Sequence, residues 1–173
     1  MSSTTLSPLA SALIGTWTLV SYHYHPTTSA EPKTYPHGPN ARGLITYSVD
    51  GYMSAQVVRP GQAPFSDGGG IAPDTSGTPS DWEQVGRNFI AYSGRYWVSE
   101  EEGKEVLWHE LDVCSIPRMV GMVQKRKAQL DEVDGASILN LGVDGLVLDG
   151  VDCKVEVKWK RVEDNAGTKR PET

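Results

Sequence analysis

The chain has 173 residues, the size of one domain with a single hydrophobic core. It carries 22 acidic and 16 basic residues, for a formal charge of −6, and an acidic chain is a poor binder of nucleic acid and anionic membranes. Residues 1–15 contain neither a basic segment nor an apolar run long enough for a signal peptide or a membrane span. We therefore expect a cytoplasmic protein without nucleic-acid or membrane partners; the oligomeric state is left open.

Composition divides the chain into one domain with two polar ends. Residues 13–163 are predicted to form the domain, residues 1–12 a flexible arm and residues 164–173 a flexible tail. Gly and Pro concentrate in two loops, 26–42 and 59–80. A loop as long as the second is usually a functional lid or a disordered insertion, so we expect it to border a binding site.

The two cysteines offer little chemistry. Cys114 and Cys153 lie far apart and lack C-x-x-C spacing. We expect two reduced, packed thiols in an intracellular protein, with a disulfide or a cysteine nucleophile as the alternatives. Their number excludes a zinc site built from cysteine clusters.

The first half of the domain is predicted to contain three strands. Residues 43–49 and 52–58 form a hairpin around Asp50-Gly51, because Asp-Gly favours tight hairpin turns. Alternation along the first strand, 15–24, places four residues on one side: Trp17, Leu19, Ser21 and His23. Alternation along the hairpin turns five residues inward: Ile45, Tyr47, Met53, Ala55 and Val57.

One segment has helical spacing instead. Residues 78–94 repeat large apolar side chains near helical intervals, at Trp82, Val85, Phe89 and Tyr92. Ser80 is a candidate N-cap, so we predict one helix at about 80–91. A second hairpin follows, joining 94–99 to 105–114.

The second half alternates again and is predicted to be all strand. Residues 104–115 place His109 on the same side as Leu107, Leu111 and Val113. Residues 120–127 turn four residues inward: Val120, Met122, Gln124 and Arg126. Residues 137–141 form a short strand, and 153–161 alternate Cys153, Val155, Val157 and Trp159 with Lys154, Glu156, Lys158 and Lys160.

Seven or eight short antiparallel strands joined in sequence favour a closed barrel, because closure removes exposed sheet edges. The predicted fold class is therefore all-β, an antiparallel up-and-down barrel with one short helix before a middle strand.

Several stretches resemble a known family. Gly15-Thr16-Trp17 resembles the G-x-W motif of lipocalins, in which the Trp closes one barrel end against a basic residue of the last strand, here Arg161. The stretches "YPHGPNARGLITYSVDGYMSAQVVRP", "FIAYSGRYWV" and "VEVKWKRV" are similar to the intracellular lipocalin-like domain family of bacteria and fungi. The resemblance runs from about 13 to 163. It implies a barrel with an interior cavity, and related fungal natural-product proteins include cofactor-free cyclases and isomerases.

Three residues are candidates for catalysis. His109 lies on an apolar wall, where a histidine acts as a general acid or base or as a core residue bonded to a hydroxyl or carbonyl. Arg126 needs a partner if it is buried, which a protein carboxylate or a ligand's enolate or carboxylate would supply. Tyr47 would stack on a ligand and donate its hydroxyl, or simply fill the core.

A further set is predicted to line the ligand site on the same inner wall. Arg95 would cap an acidic ligand, although a solvated arginine is the commoner case. The other candidates are wall residues: Met53, Gln124, Met122, Leu111 and Tyr96.

No cofactor or metal is expected. His23 and His25 share a strand face, but neither Glu31 nor Gly15 has the spacing of a cupin metal motif, and Pro26 interrupts the strand. The Gly68-Gly69-Gly70 run lacks the Lys-Ser/Thr of a phosphate-binding loop.

Three functions are compatible with these features. The first is a cofactor-independent isomerase or cyclase acting on a hydrophobic, oxygenated metabolite such as a polyketide or terpenoid, with a carbonyl polarised by the three catalytic candidates. The second is a carrier or sensor that binds such a molecule unchanged. The third is a barrel without a cavity that acts through its surface.

Overall fold

The computed structural model describes residues 6–28, 32–69, 76–148 and 150–164. Two α-helices and nine β-strands make up this part of the chain. In chain order they are α1 (Pro8–Leu13), β1 (Gly15–Pro26), β2 (Arg42–Tyr47), β3 (Tyr52–Val58), α2 (Pro79–Asn88), β4 (Phe89–Glu101), β5 (Lys104–Glu110), β6 (Val113–Cys114), β7 (Val123–Val133), β8 (Ala136–Leu148) and β9 (Val151–Arg161), with a 3₁₀ helix at Pro117–Met119.

Eight strands close into one antiparallel barrel. The strand order is β3-β2-β1-β9-β8-β7-β5-β4, and pairing of β3 with β4 closes the ring. The two-residue β6 adds to β4 on the outside of this order. Closure satisfies the backbone groups that a sheet edge would leave unpaired, and it confirms the predicted all-β barrel.

Trp17 and Arg161 hold one end of the barrel closed. The Trp17 side chain is fully buried, and the Arg161 guanidinium lies 4.0 Å from its ring centroid. Arg161 also donates to the carbonyls of Ile14, at 2.8 Å, and Ala12. Trp17 donates from its indole nitrogen to the Leu13 carbonyl at 2.9 Å. These contacts confirm the predicted pairing and fasten the end of α1 across the barrel.

Gly15 is required at this closed end. Its φ is +125°, a conformation that L side chains rarely adopt, and a Cβ there would lie 2.7 Å from the Arg161 guanidinium. The glycine of the G-x-W stretch thus leaves room for the arginine that covers the tryptophan.

The hairpin of β2 and β3 has the predicted register. Tyr47 pairs with Met53 and Ile45 with Ala55 across the turn. The five residues predicted to face inward are all buried: Ile45, Tyr47, Met53, Ala55 and Val57.

The first strand departs from the predicted alternation. Its pairing with β9 shifts between Leu19 and Ser21, so a β-bulge at Val20 inserts one residue. Beyond the bulge Tyr22 packs against the core, whereas His23 pairs opposite Glu156 on the outer wall. The prediction that Ser21 and His23 share the face of Trp17 is therefore wrong.

The helices also differ from the prediction. The N-cap of α2 is Thr78, two residues before the predicted Ser80, and it forms a reciprocal capping box with Asp81. It ends at Asn88, and Phe89 already pairs with Val58 in the sheet. No helix among the described residues is long and apolar enough to cross a membrane.

Within the segment predicted as an arm, residues 1–12, the structure has α1. Ser7 caps this helix by accepting from the Ala10 amide, and Pro8 occupies its first turn. Leu9 and Leu13 are buried in the barrel core, which explains why the segment folds against the closed end.

One predicted strand ends early and another begins late. β5 ends at Glu110, so Val113 belongs to β6 and is 65% exposed instead of facing inward. β7 begins at Val123, which leaves Val120 and Met122 in an exposed turn where Gly121 has a φ of +80°. Both were predicted to face inward, and alternation fails there because the backbone is not yet a strand.

We predict that replacing Arg161 by Ala lowers the free energy of unfolding by about 2–3 kcal/mol, because a cation–π contact and two hydrogen bonds are lost. The matched control is Arg87→Ala on α2, whose exposed pair with Glu83 contributes about 0.5 kcal/mol or less. Urea denaturation of both variants measures the difference. Equal losses would show that the Arg161 contact does not hold the barrel end.

Candidate functional site

The inner wall carries a hydrogen-bonded pair of polar side chains. The Tyr47 hydroxyl from β2 lies 3.0 Å from His109 Nε2 on β5. Both side chains are almost completely buried, at 1% and 0% exposure. Their approach is a product of the barrel, since the two strands are not neighbours in the sheet.

Both members of this pair are neutral near pH 7. Burial, aided by the Arg126 charge, holds the pKa of His109 well below its usual value. Burial is also the main cause that raises the pKa of Tyr47 well above its usual value. The neighbouring Tyr92 raises this pKa further, whereas the Arg126 charge lowers it. A neutral imidazole bonded through Nε2 keeps Nδ1 for a second hydrogen bond, as donor or as acceptor according to the tautomer. That Nδ1 is buried and has no partner among the described residues.

Arg126 brings a positive charge into the same interior. Its Nη2 lies 3.4 Å from the Tyr92 hydroxyl, a long hydrogen bond, and its Nε is buried without a partner among the described residues. No Asp or Glu of the described residues forms an ion pair with it. A buried guanidinium nitrogen without an acceptor is costly, so Arg126 Nε is a candidate to donate to a bound molecule.

Gln124 completes the group. It pairs with His109 across β5 and β7, and its Oε1 is buried without a partner among the described residues. Three neighbouring side chains on β5 and β7 therefore have unmet hydrogen-bonding capacity inside the barrel: His109 Nδ1, Gln124 Oε1 and Arg126 Nε.

Sequence reasoning missed two tyrosines of this interior. Tyr22 faces inward because of the bulge at Val20. Its pKa is raised, mainly by burial and further by the neighbouring Tyr92. Tyr92, counted in the helical spacing of 78–94, lies on β4, and its hydroxyl accepts from Arg126. The Phe89–Tyr92 stretch is rich in aromatic and β-branched residues, a signal for strand that could have placed Tyr92 correctly.

Besides Gln124, three predicted wall residues are buried: Met53, Leu111 and Tyr96. Met53 is 2% and Leu111 0% exposed. Tyr96 is buried with its ring edge against Tyr47, at 5.0 Å between centroids, and donates its hydroxyl to the Ser48 carbonyl at 2.9 Å. Tyr96 thus orients Tyr47 from the closed side.

Two predicted ligand residues do not reach the interior. Arg95 alternates with the inward Tyr96, so its side chain is 59% exposed and pairs with Glu110 at 2.6 Å on the outer wall. Met122 is 45% exposed in the turn before β7. Both assignments are corrected: neither residue lines the inner wall.

The end of the barrel opposite α1 is the accessible one. Tyr22, Tyr92, Gln124 and Arg126 keep intermediate exposure although they face inward, whereas the side chains around Trp17 are fully buried. His37, from the segment 32–41, stacks on Tyr22 at 5.8 Å between ring centroids.

The predicted border loop, 59–79, leaves β3 at this same end and returns through α2. Its described part rests on α2, with Phe65 against Trp82 at 4.9 Å and Gln84 bonded to both backbone groups of Ala63. Residues 70–75 of the loop lie outside the described part.

Comparison with known proteins places this barrel in a family. The profile of the lipocalin-like domain family matches residues 14–162, so the chain belongs to that family. It is also 32% identical, over 115 residues, to a protein of Aspergillus oryzae named 4'-hydroxy-3'-methoxypropiophenone carrier protein. That alignment covers 64% of this chain and 96% of the relative. No solved structure matches the chain significantly.

We predict that His109 makes stability fall as the pH is lowered. The pKa of His109 is depressed in the folded protein. Below about pH 6.5 this histidine is therefore protonated in the unfolded chain but stays neutral in the folded one. Between pH ~7.5 and ~5.5 this costs up to about 1.4 kcal/mol. Urea denaturation at both pH values should show that loss in the wild type and a smaller pH dependence in His109→Gln. An unchanged pH dependence in the variant would contradict a neutral His109.

Proposed function

We propose that the barrel binds a hydrophobic, oxygenated small molecule of natural-product metabolism in its interior and carries it unchanged. The observation that supports this most is the group of three unmet polar atoms on His109, Gln124 and Arg126. Such atoms are costly in a protein interior, and a ligand that bonds to them removes the cost.

The chemistry of these atoms defines the ligand class. Arg126 Nε donates, so it requires a carbonyl, enolate or phenolate oxygen, whereas Gln124 Oε1 accepts and requires a hydroxyl. Tyr22, Tyr47 and Tyr92 supply aromatic wall nearby, which suits a planar ligand. A molecule with a hydroxyl and a ketone on an aromatic frame meets all three requirements. The relative's name describes a carrier of such a hydroxylated ketone.

A second candidate is a cofactor-independent isomerase or cyclase. The neutral His109 bonded to Tyr47, with the Arg126 charge beside them, supports it, because this set can relay a proton and stabilise an enolate oxygen. In this account Arg126 holds the developing negative charge, His109 accepts or returns the proton, and Tyr47 keeps the imidazole in place.

We predict that 4'-hydroxy-3'-methoxypropiophenone, used as a probe, binds the protein and that Arg126→Met weakens binding by roughly tenfold, about 1.4 kcal/mol. Met keeps the aliphatic length but removes the guanidinium. Arg95→Met makes the same change on the outer wall and should leave the affinity unchanged. Isothermal titration calorimetry measures both. Equal affinities for the two variants would refute interior binding through Arg126.

Mass analysis of the bound molecule separates carriage from catalysis. For a carrier, the recovered ligand is unchanged, and His109→Ala alters only affinity and stability. For an isomerase or cyclase, a product of equal mass and different retention accumulates, and His109→Ala abolishes its formation while binding survives within about tenfold. If the variant only lowers the melting temperature and the rate per folded molecule is unchanged, His109 has no catalytic role.

A further inference from the structure

Two histidines and a glutamate meet on the outer wall of the barrel, away from the polar interior. His23 and His25 stand two residues apart on β1, with ring centroids 6.0 Å apart, and Glu156 lies opposite His23 on β9. His23 Nε2 is 3.0 Å from Glu156 Oε2. One ligand atom from each of the three residues lies within 4.8 Å of the other two.

The β-bulge at Val20 creates this arrangement. Without it His23 and His25 would face the barrel interior and could not reach Glu156. The sequence spacing alone did not match a known metal motif, because the third residue comes from a strand more than 130 positions away. Cross-strand pairing supplies the ligand that the local sequence lacks.

We propose that His23, His25 and Glu156 form a binding site for a divalent transition metal, for which Zn²⁺ is the best match. Two imidazoles and one carboxylate are a common zinc donor set that leaves one position for water or another ligand. The ligand atoms of a tetrahedral zinc site lie roughly 3.3–3.5 Å apart. Side-chain rotations that move the ligand atoms by about 1 Å would therefore bring the present cluster to that spacing.

Burial and hydrogen bonding hold this donor set in place. His23 is 6% exposed, and Tyr35 covers its ring at 5.7 Å between centroids. Lys154 donates to Glu156 Oε1 at 2.8 Å and so fixes the carboxylate beside the two imidazoles. His25 Nδ1 is buried and has no hydrogen-bond partner among the described residues.

Neighbouring lysines repel a bound cation, so removing one of their charges is a further test of metal binding. The site borders a groove of about 390 Å³ whose lining includes Lys33, Lys127 and Lys158. Lys154 Nζ lies 2.8 Å from Glu156 Oε1, which leaves Oε2 for the metal. Removing the charge of Lys33 should therefore strengthen metal binding, because less positive charge then lies beside the cation.

The test is calorimetric titration of metal-stripped, untagged protein with Zn²⁺, with the melting temperature measured in parallel. We expect one saturable site and, at about 100 times the Kd, a rise in melting temperature of roughly 5–10 °C. His25→Ala should weaken binding at least roughly tenfold, because it removes one of three ligands. His37→Gln alters a histidine outside the cluster and should bind as the wild type does.

A third variant, Lys33→Gln, should tighten binding severalfold, which a purely structural role for the cluster does not predict. The proposal is overturned if no saturable binding occurs, since His23 and Glu156 are then only a hydrogen-bonded pair. It is equally overturned if His25→Ala binds Zn²⁺ as tightly as the wild type, because the metal then lies elsewhere.

Discussion

The contact between Arg161 and Trp17 joins the last strand, the first strand and the helix before it. The guanidinium covers the indole at 4.0 Å and reaches the two carbonyls at the end of α1. Those carbonyls are helix-terminal groups that need a partner, so one side chain stabilises both the helix end and the barrel end. With this end closed by apolar packing, any ligand must enter the barrel from the other.

Closure of the barrel also brings the polar side chains of β5 and β7 into the interior. Every strand of a closed barrel sends alternate side chains inward, and beyond the apolar closed end the inward rows of β5 and β7 carry His109, Gln124 and Arg126, of which the last two keep intermediate exposure. Apolar side chains could have occupied these three positions at lower cost. Retaining a guanidinium without a carboxylate partner is better explained by recognition of an oxygen than by stability.

Alternation predicted the parts of the structure that are regular. The hairpin of β2 and β3 was placed with the correct inward row, and the proximity of His109 to Tyr47 followed from the parity of their strands. Met122 was misplaced because parity was applied to residues before the start of β7. Arg95 was misplaced because it was proposed as a cap for an acidic ligand without regard to alternation, which turns its neighbour Tyr96 inward. The bulge at Val20 has no local signal in one sequence, and it reversed the faces of Tyr22 and His23. Thr78 with Asp81, and Ser7 with Pro8, were helix-start signals present in the sequence and overlooked.

A crystal structure of the protein with a hydroxylated aromatic ketone tests binding in the barrel interior most sharply. We expect the ligand inside the barrel, with its ketone oxygen within about 2.7–3.2 Å of the Arg126 guanidinium and its hydroxyl bonded to Gln124 Oε1. A ligand found only on the outer wall, with Arg126 and Gln124 unmoved and still without partners, would contradict it.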